Sequence, residues 1–314
     1  MHDAIIVGAG PAGVSASLWL KQLGFSPMLI DRNATCGGLQ LSNPYTNTWV
    51  ASSAKARGHD VASAMHQNML DHKVDMRMSV DATTAEVDGE CARVWLSNRE
   101  LITARFLVLA GGVSPRTGGL VSRLGMIVGP GTAIADTNFS GKNVAILGGG
   151  DNAFENYVFA SARGARSVSI FARSMRARAD MIAQVPSDRV FVGAYDLNPD
   201  RNTVNGTHFD QILVLYGYEA AKSSLLGLDL ALRTDGFVST DSECQTSRAN
   251  VYAIGEIARR AHPCCITAMA DGVIAAKAIQ RRLEQSASTR AIGNAKRALT
   301  MATRAVLQPA GLGA

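Results

Sequence analysis

The chain has 314 residues, 47% hydrophobic and 18% charged, with a formal net charge of +5, which leaves room for about two domains with real cores. Its cations are spread along the chain and aromatics make up only 6%, a pattern that argues against nucleic-acid binding. No run approaches the roughly 18 apolar residues of a membrane span.

Asp3 and three glycines interrupt the only early apolar stretch, so no secretory signal is read there and a cytoplasmic protein is expected. That stretch, Ala4-Ile5-Ile6-Val7, predicts a strand. It enters Gly8-Ala9-Gly10-Pro11-Ala12-Gly13, a G-x-G-x-x-G turn, and Val14 to Leu20 resumes with helical spacing. Gly8 makes the tight turn, Gly10 lets a pyrophosphate reach the backbone, and Gly13 lets helix and strand approach closely. The unpaired N–H groups of the first helical turn face the phosphates. A second strand, Pro27 to Ile30, ends at Asp31, placed to accept from a ribose 2'-OH.

From Asn33 the chain is rich in turns, with Cys36-Gly37-Gly38-Leu39-Gln40 and Asn43 to Trp49 predicted as loops. Gly58 to Leu70 predicts a helix, with Val61, Met65 and Met69 as core positions. Ala85–Val87, an Asp88-Gly89 turn, Ala92–Leu96 and Arg105–Leu109 predict a meander whose last strand returns to the first sheet and enters Ala110-Gly111-Gly112.

The chain then repeats itself. Asn143 to Leu147 leads into Gly148-Gly149-Gly150-Asp151-Asn152-Ala153, a G-x-G-x-x-A turn, followed by a helix from Phe154 to Arg163 and a strand from Ser167 to Ala172. This second dinucleotide-binding unit ends at Arg173, with Arg176 and Arg178 beyond it. An acid at that position selects a free ribose 2'-OH, whereas arginines hold a 2'-phosphate through forked hydrogen bonds. The second unit therefore favours NADPH over NADH.

Asn250 to Ile254 predicts a strand entering Gly255-Glu256, and Cys264 to Leu283 a helix. A helix N-terminus beside a carboxylate suits a flavin. The five cysteines, at 36, 91, 244, 264 and 265, form neither a disulfide framework nor a C-x-x-C pair. In the tail, Ile292, Ala295, Leu299, Ala302 and Val306 form one apolar stripe, with Lys296, Arg297 and Arg304 largely off it.

IIVGAGPAG, the Asp31 strand end, Gly37-Gly38 with Trp49 beyond, VAILGGGDNA, and VYAIGEI followed by ITAMADGVIAA together resemble the low-molecular-weight thioredoxin reductases of the pyridine nucleotide-disulfide oxidoreductase family. The resemblance implies an α/β protein of three-layer ββα type, with two Rossmann-like domains, the second inserted in the first. An FAD domain would span 1–113 and 234–283, an NAD(P)H domain 114–233, and a C-terminal extension 284–314. It implies FAD contacts at Gly8, Gly10, Pro11, Ala12, Gly13, Asp31, Arg32, Gly38, Leu39, Gly255, Glu256 and Ile266. Contacts to NADPH fall at Gly148, Gly150, Asp151, Asn152, Ala153, Arg173 and Arg178, and a homodimer is expected.

The departures matter as much. The family's redox-active CxxC lies shortly before the second glycine motif, where this chain has Thr132-Ala133-Ile134-Ala135. Glu256 stands where Asp is usual, and the His-Arg-Arg of the second unit appears as Phe171-Ala172-Arg173. Three readings follow. Electrons pass from NADPH through FAD to a separate protein or small acceptor, as in the thioredoxin-reductase-like ferredoxin reductases. Alternatively, Cys264 and Cys265 are catalytic thiols that exchange electrons with a small redox protein or a small-molecule thiol or disulfide. As a third reading, the protein binds flavin without turnover. A thiolate at a helix start is stabilised there, and Cys36 is a possible third thiol in the same region. By the ferredoxin-reductase resemblance, the tail would cover the flavin as a lid.

Overall fold

The first strand, β1 (His2–Val7), is buried from Ala4 onward and runs straight into α1 (Pro11–Gln22). This computed structural model describes residues 1–306 apart from 44, 48–49, 51–54 and 90, with side chains described to residue 286 and at 288. Pro11 opens α1, where its missing N–H costs nothing. β2 (Pro27–Ile30) returns parallel to β1, α2 (Gly58–Asp71) follows, and β3 (Asp75–Arg77) pairs parallel with β2. Val61, Met65 and Met69 of α2 are buried, as their spacing predicts.

β4 (Ala82–Val87), β5 (Ala92–Leu96) and β6 (Leu101–Leu109) form the antiparallel meander. β6 runs parallel to β1 and begins four residues earlier than the apolar run alone predicts. Its length lets one edge serve two partners. Residues 101–104 pair with β5, and Leu107–Leu109 pair with β17 (Val251–Ala253). The sheet therefore splits into the meander on one side and the closing strand on the other.

β7 (Val113–Pro115) leaves the first sheet, and β8 (Met126–Val128), α3 (Thr132–Ala135) and β9 (Asn143–Leu147) begin the second. α4 (Asp151–Ala162) starts at the end of the glycine turn, three residues ahead of the predicted start. β10 (Ser167–Ala172) has the predicted bounds, and α5 (Ala179–Ile182) and β11 (Val190–Val192) follow. A small meander of β12 (Leu197–Asn198), β13 (Thr203–Val204) and β14 (Thr207–His208) leads to β15 (Gln211–Val214). The second sheet is wholly parallel, in the order β11-β10-β9-β15-β8. β16 (Tyr218–Ala220) pairs antiparallel with β7, so the two chain crossings between the sheets form one ribbon.

After β17, α6 (Cys265–Val306) runs without a break past Leu283, where the sequence pattern ended. Its first turns lie against α1 through small residues. A Cβ on Gly272 would sit 2.5 Å from the Ala12 carbonyl oxygen, an approach only glycine permits. The apolar stripe from Ile292 to Val306, and with it the tail's role as a lid, involves side chains outside the described residues. Among the described residues, no helix is long and apolar enough to cross a membrane.

Candidate functional site

A cleft of about 710 Å³ opens at the carboxyl ends of β1, β2 and β6, where open α/β sheets bind ligands. Gly8, Gly10, Pro11, Ala12, Asp31, Arg32, Gly38, Leu39, Gly255, Glu256, Cys264 and Cys265 all line it. Gly8 has φ +112°, and a Cβ there would fall 2.3 Å from the Ala110 carbonyl oxygen, so the turn admits no side chain. Gly13 does not line the cleft. Its Cβ would meet the Gly8 carbonyl oxygen at 1.9 Å, which is the close helix–strand contact its position predicts. The N-terminus of α1 has no side-chain cap, and in the direction of a Gly10 Cβ only the Gly38 Cα lies near, at 3.8 Å. Free N–H groups beside open space suit a pyrophosphate.

Asp31 is built into this turn. Its Oδ2 accepts the Ala9 N–H at 2.6 Å and its Oδ1 accepts the Asn33 N–H at 2.7 Å, so the acid at the strand end is aimed back at the glycine turn. Arg32 pairs with Asp81 at 3.2 Å, and both face the cleft. Burial raises the Glu256 carboxyl above its usual range, partly offset by Arg259. Ile266 does not join this lining, and its side chain is 44% exposed.

Cys264 caps α6. Its sulfur accepts the Thr267 N–H at 3.4 Å while the Thr267 hydroxyl oxygen accepts the Cys264 N–H at 3.3 Å, a reciprocal cap with a thiol in the usual hydroxyl position. The Thr267 hydroxyl has one proton for acceptors that include the His262 carbonyl at 2.7 Å and the Cys264 sulfur at 3.4 Å. Burial pushes the Cys264 thiol up, but hydrogen bonds from Thr267 and the Ile266 N–H outweigh it and leave the thiol below its ordinary value. Cys265 is buried, and burial, then Cys264 and Glu256, push it up to about 11. Cys36 does not reach the cleft. It is fully buried in the core against α2, and its thiol is pushed up to about 11 by burial.

A second cleft of about 760 Å³ lies at the carboxyl ends of β9, β10 and β15. Gly148 and Arg173 line it, joined by Arg116, Arg176, Tyr195 and Tyr216. A Cβ on Gly148 would sit 2.2 Å from the Leu215 carbonyl oxygen, whereas one on Gly150 would meet nothing within 4 Å. Gly150, Asp151, Asn152 and Ala153 form the start of α4 without lining the cleft. Arg178 turns away from it, because Asp151 takes its Nε at 3.1 Å and Asp180 its Nη2 at 3.6 Å. Arg176 stands in the lining instead.

Tyr195 and Tyr216, whose hydroxyls meet at 3.1 Å, escaped the sequence reading. Their signal is position alone: each follows the end of a parallel strand, β11 or β15, on the side where the ligand rule puts a site. In the first cleft, Lys222, Ser223 and Ser224 were missed in the same way, and they arrive with the segment after β16.

A model of the family described as pyridine nucleotide-disulphide oxidoreductase matches residues 2–272. The chain belongs to that family. Among curated relatives, the bifunctional thioredoxin reductase/thioredoxin of Mycobacterium leprae is 26% identical over 314 residues, covering 93% of this chain and 68% of the relative. The Lactococcus lactis thioredoxin reductase structure superposes with a TM-score of 0.75 at 18% identity, covering 90% of this chain and 98% of that one. The Bacillus cereus bacillithiol disulfide reductase gives 0.75 at 16% identity, covering 90% and 99%. These two structures share the fold.

As a member of the pyridine nucleotide-disulphide oxidoreductases, the protein is an FAD-dependent oxidoreductase, and FAD and NADPH are the cofactors of its thioredoxin reductase relatives. The first cleft is open enough for FAD, with an uncapped helix start that would take the pyrophosphate and Asp31 at the end of β2, where the sequence pattern puts the ribose. FAD bound there would supply two-electron chemistry. The chain would hold it between α1 and α6, with Glu256 and Cys264 in the lining.

Proposed function

We propose that the protein carries reducing equivalents from NADPH to an acceptor outside its own chain, either a small redox protein or a small-molecule disulfide. The observation that carries this reading is α3. Where the resemblance puts the CxxC, Thr132–Ala135 form a helical turn with Ile134 buried in the core of the second sheet, and no cysteine lies between Cys91 and Cys244. The two clefts adjoin, since Glu219 of β16 lines both, which supports transfer without an internal disulfide. Arg116, Arg173 and Arg176 supply the guanidinium groups that favour a 2'-phosphate. The working form is a cytoplasmic homodimer of the family's kind.

Anaerobic mixing of the purified holoprotein with NADPH or NADH, followed at the flavin absorption band, tests the donor. Bleaching faster with NADPH is expected; equal rates, or bleaching by neither, would overturn it.

Cys264 favours one version of the acceptor, a small disulfide that exchanges with its sulfur at the cleft wall. A bacillithiol disulfide reductase shares the fold and acts on such a compound. If this version holds, Cys264→Ser abolishes turnover with low-molecular-weight disulfides while ferricyanide reduction by NADPH persists. Loss of both, or of neither, would remove Cys264 from the path.

A further inference from the structure

We propose that Asp271, which does not line the cleft, is the positioning residue for its flavin-facing wall, fixing the Gly255–Glu256 turn between α1 and α6. The inference rests on the reading that the first cleft holds FAD.

Asp271 lies in the second turn of α6 and its side chain is 12% exposed. Its Oδ2 accepts the Gly255 N–H at 3.0 Å and its Oδ1 accepts the Arg260 Nη1 at 2.8 Å. Arg260, 22% exposed, also reaches the Ser242 carbonyl at 2.8 Å and the Cys244 sulfur at 2.7 Å. One carboxylate thus ties together α6, the turn after β17 and the 242–244 loop. Its charge is matched by a guanidinium, so the arrangement places no unpaired anion behind the cleft.

The Asp271 bond holds the entry side of the turn. Up to Ile254, whose N–H donates to the Leu109 carbonyl at 3.0 Å, the chain is held by the sheet. Beyond it, the Gly255 carbonyl accepts only local bonds, from the Ala258 and Arg259 N–H groups. The Gly255 N–H is therefore anchored from outside the turn by Asp271 alone. Gly255 sits at φ +71°, and a Cβ there would meet the Ala12 Cβ at 2.8 Å, so the turn is pressed against the first turn of α1. The next residue, Glu256, faces the cleft. Without the carboxylate, the Gly255 N–H and the Arg260 guanidinium both lose a buried acceptor, and Glu256 is held from outside the turn only on its far side, where the Val238 N–H donates to the Ile257 carbonyl at 3.0 Å.

The test compares Asp271→Ala, Asp271→Asn and Arg260→Gln with the wild type in three measurements. These are the FAD dissociation constant by flavin fluorescence, the visible circular dichroism of the bound flavin, and the melting temperature of the apoprotein. Asp271→Ala is expected to weaken FAD binding by about tenfold or more and to change the flavin dichroism. Asp271→Asn keeps an acceptor for the Gly255 N–H and recovers most of both. Arg260→Gln lowers the melting temperature but keeps the dichroism. If Asp271→Ala cannot be purified, Asp271→Leu fills the volume without an acceptor and carries the same expectation. Wild-type affinity and dichroism in Asp271→Ala, or an Asp271→Asn protein no better than Asp271→Ala, overturns the proposal. A wild-type protein that takes up no FAD defeats instead the reading on which it rests.

Discussion

Cys264 and Cys265 are neighbours in sequence with opposite chemistry. Cys264 is the N-cap of α6 and is served by two N–H groups and a hydroxyl, while Cys265 is buried in the core cluster at the cleft wall. A thiol below its ordinary value is thiolate over a wider range of pH, and the thiolate is what alkylates. At pH 7 to 8, iodoacetamide is therefore expected to label Cys264 before Cys36, Cys244 and Cys265, all of which burial pushes up. Peptide mapping reads the order. Thr267→Val removes the hydroxyl and should move the Cys264 rate profile to higher pH. Labelling of Cys265 at the same rate as Cys264 would count against the cap. The sequence held this feature only as Cys-x-x-Thr ahead of an apolar helix, a variant of the usual capping pattern with sulfur in place of oxygen.

At the scale of elements, the glycine turns were legible because backbone clearance dictates them. Gly8, Gly13 and Gly148 each stand where a Cβ would fall within 2.3 Å of a carbonyl oxygen, so composition reports geometry directly. Gly13→Ala should therefore cost about 1–3 kcal/mol and lower the melting temperature; an unchanged melting curve would mean that α1 and β1 can separate at no cost. Lengths were less legible than positions. β6 extends N-terminally through Leu101–Ala104, where alternation with partly exposed residues hides the strand, and α6 continues past Leu283 because no proline stands between it and Val306. Among the described residues, the packing of α6 on α1 and the first sheet runs to Leu283. Deleting residues 287–314 should thus leave FAD retention intact, as judged by the flavin-to-protein absorbance ratio. Loss of flavin on deletion would show that the tail contributes to the site.

At the scale of the whole molecule, two sheets are joined by one ribbon, and a loop of the first also touches α4 of the second. The Tyr45 hydroxyl meets the Asn156 side chain at 3.1 Å, and its ring stands edge-on to Phe159 with centroids 5.5 Å apart. The two dinucleotide-binding units and their order could be read from the sequence, since each is local: a strand, a turn, a helix and a strand. Tyr195, Tyr216, the Lys222–Ser224 segment and the Asp271 tether could not, because each reaches its site from a distant part of the chain with no local motif to mark it.

On the proposed function, electrons leave this protein without resting on a disulfide of its own. An anaerobic titration of the oxidised holoprotein with dithionite, read at the flavin band and by free-thiol count, tests it most directly. Full bleaching after one two-electron equivalent per flavin, with the thiol count unchanged, is the predicted result. A requirement for two equivalents, with two new thiols appearing, would contradict it.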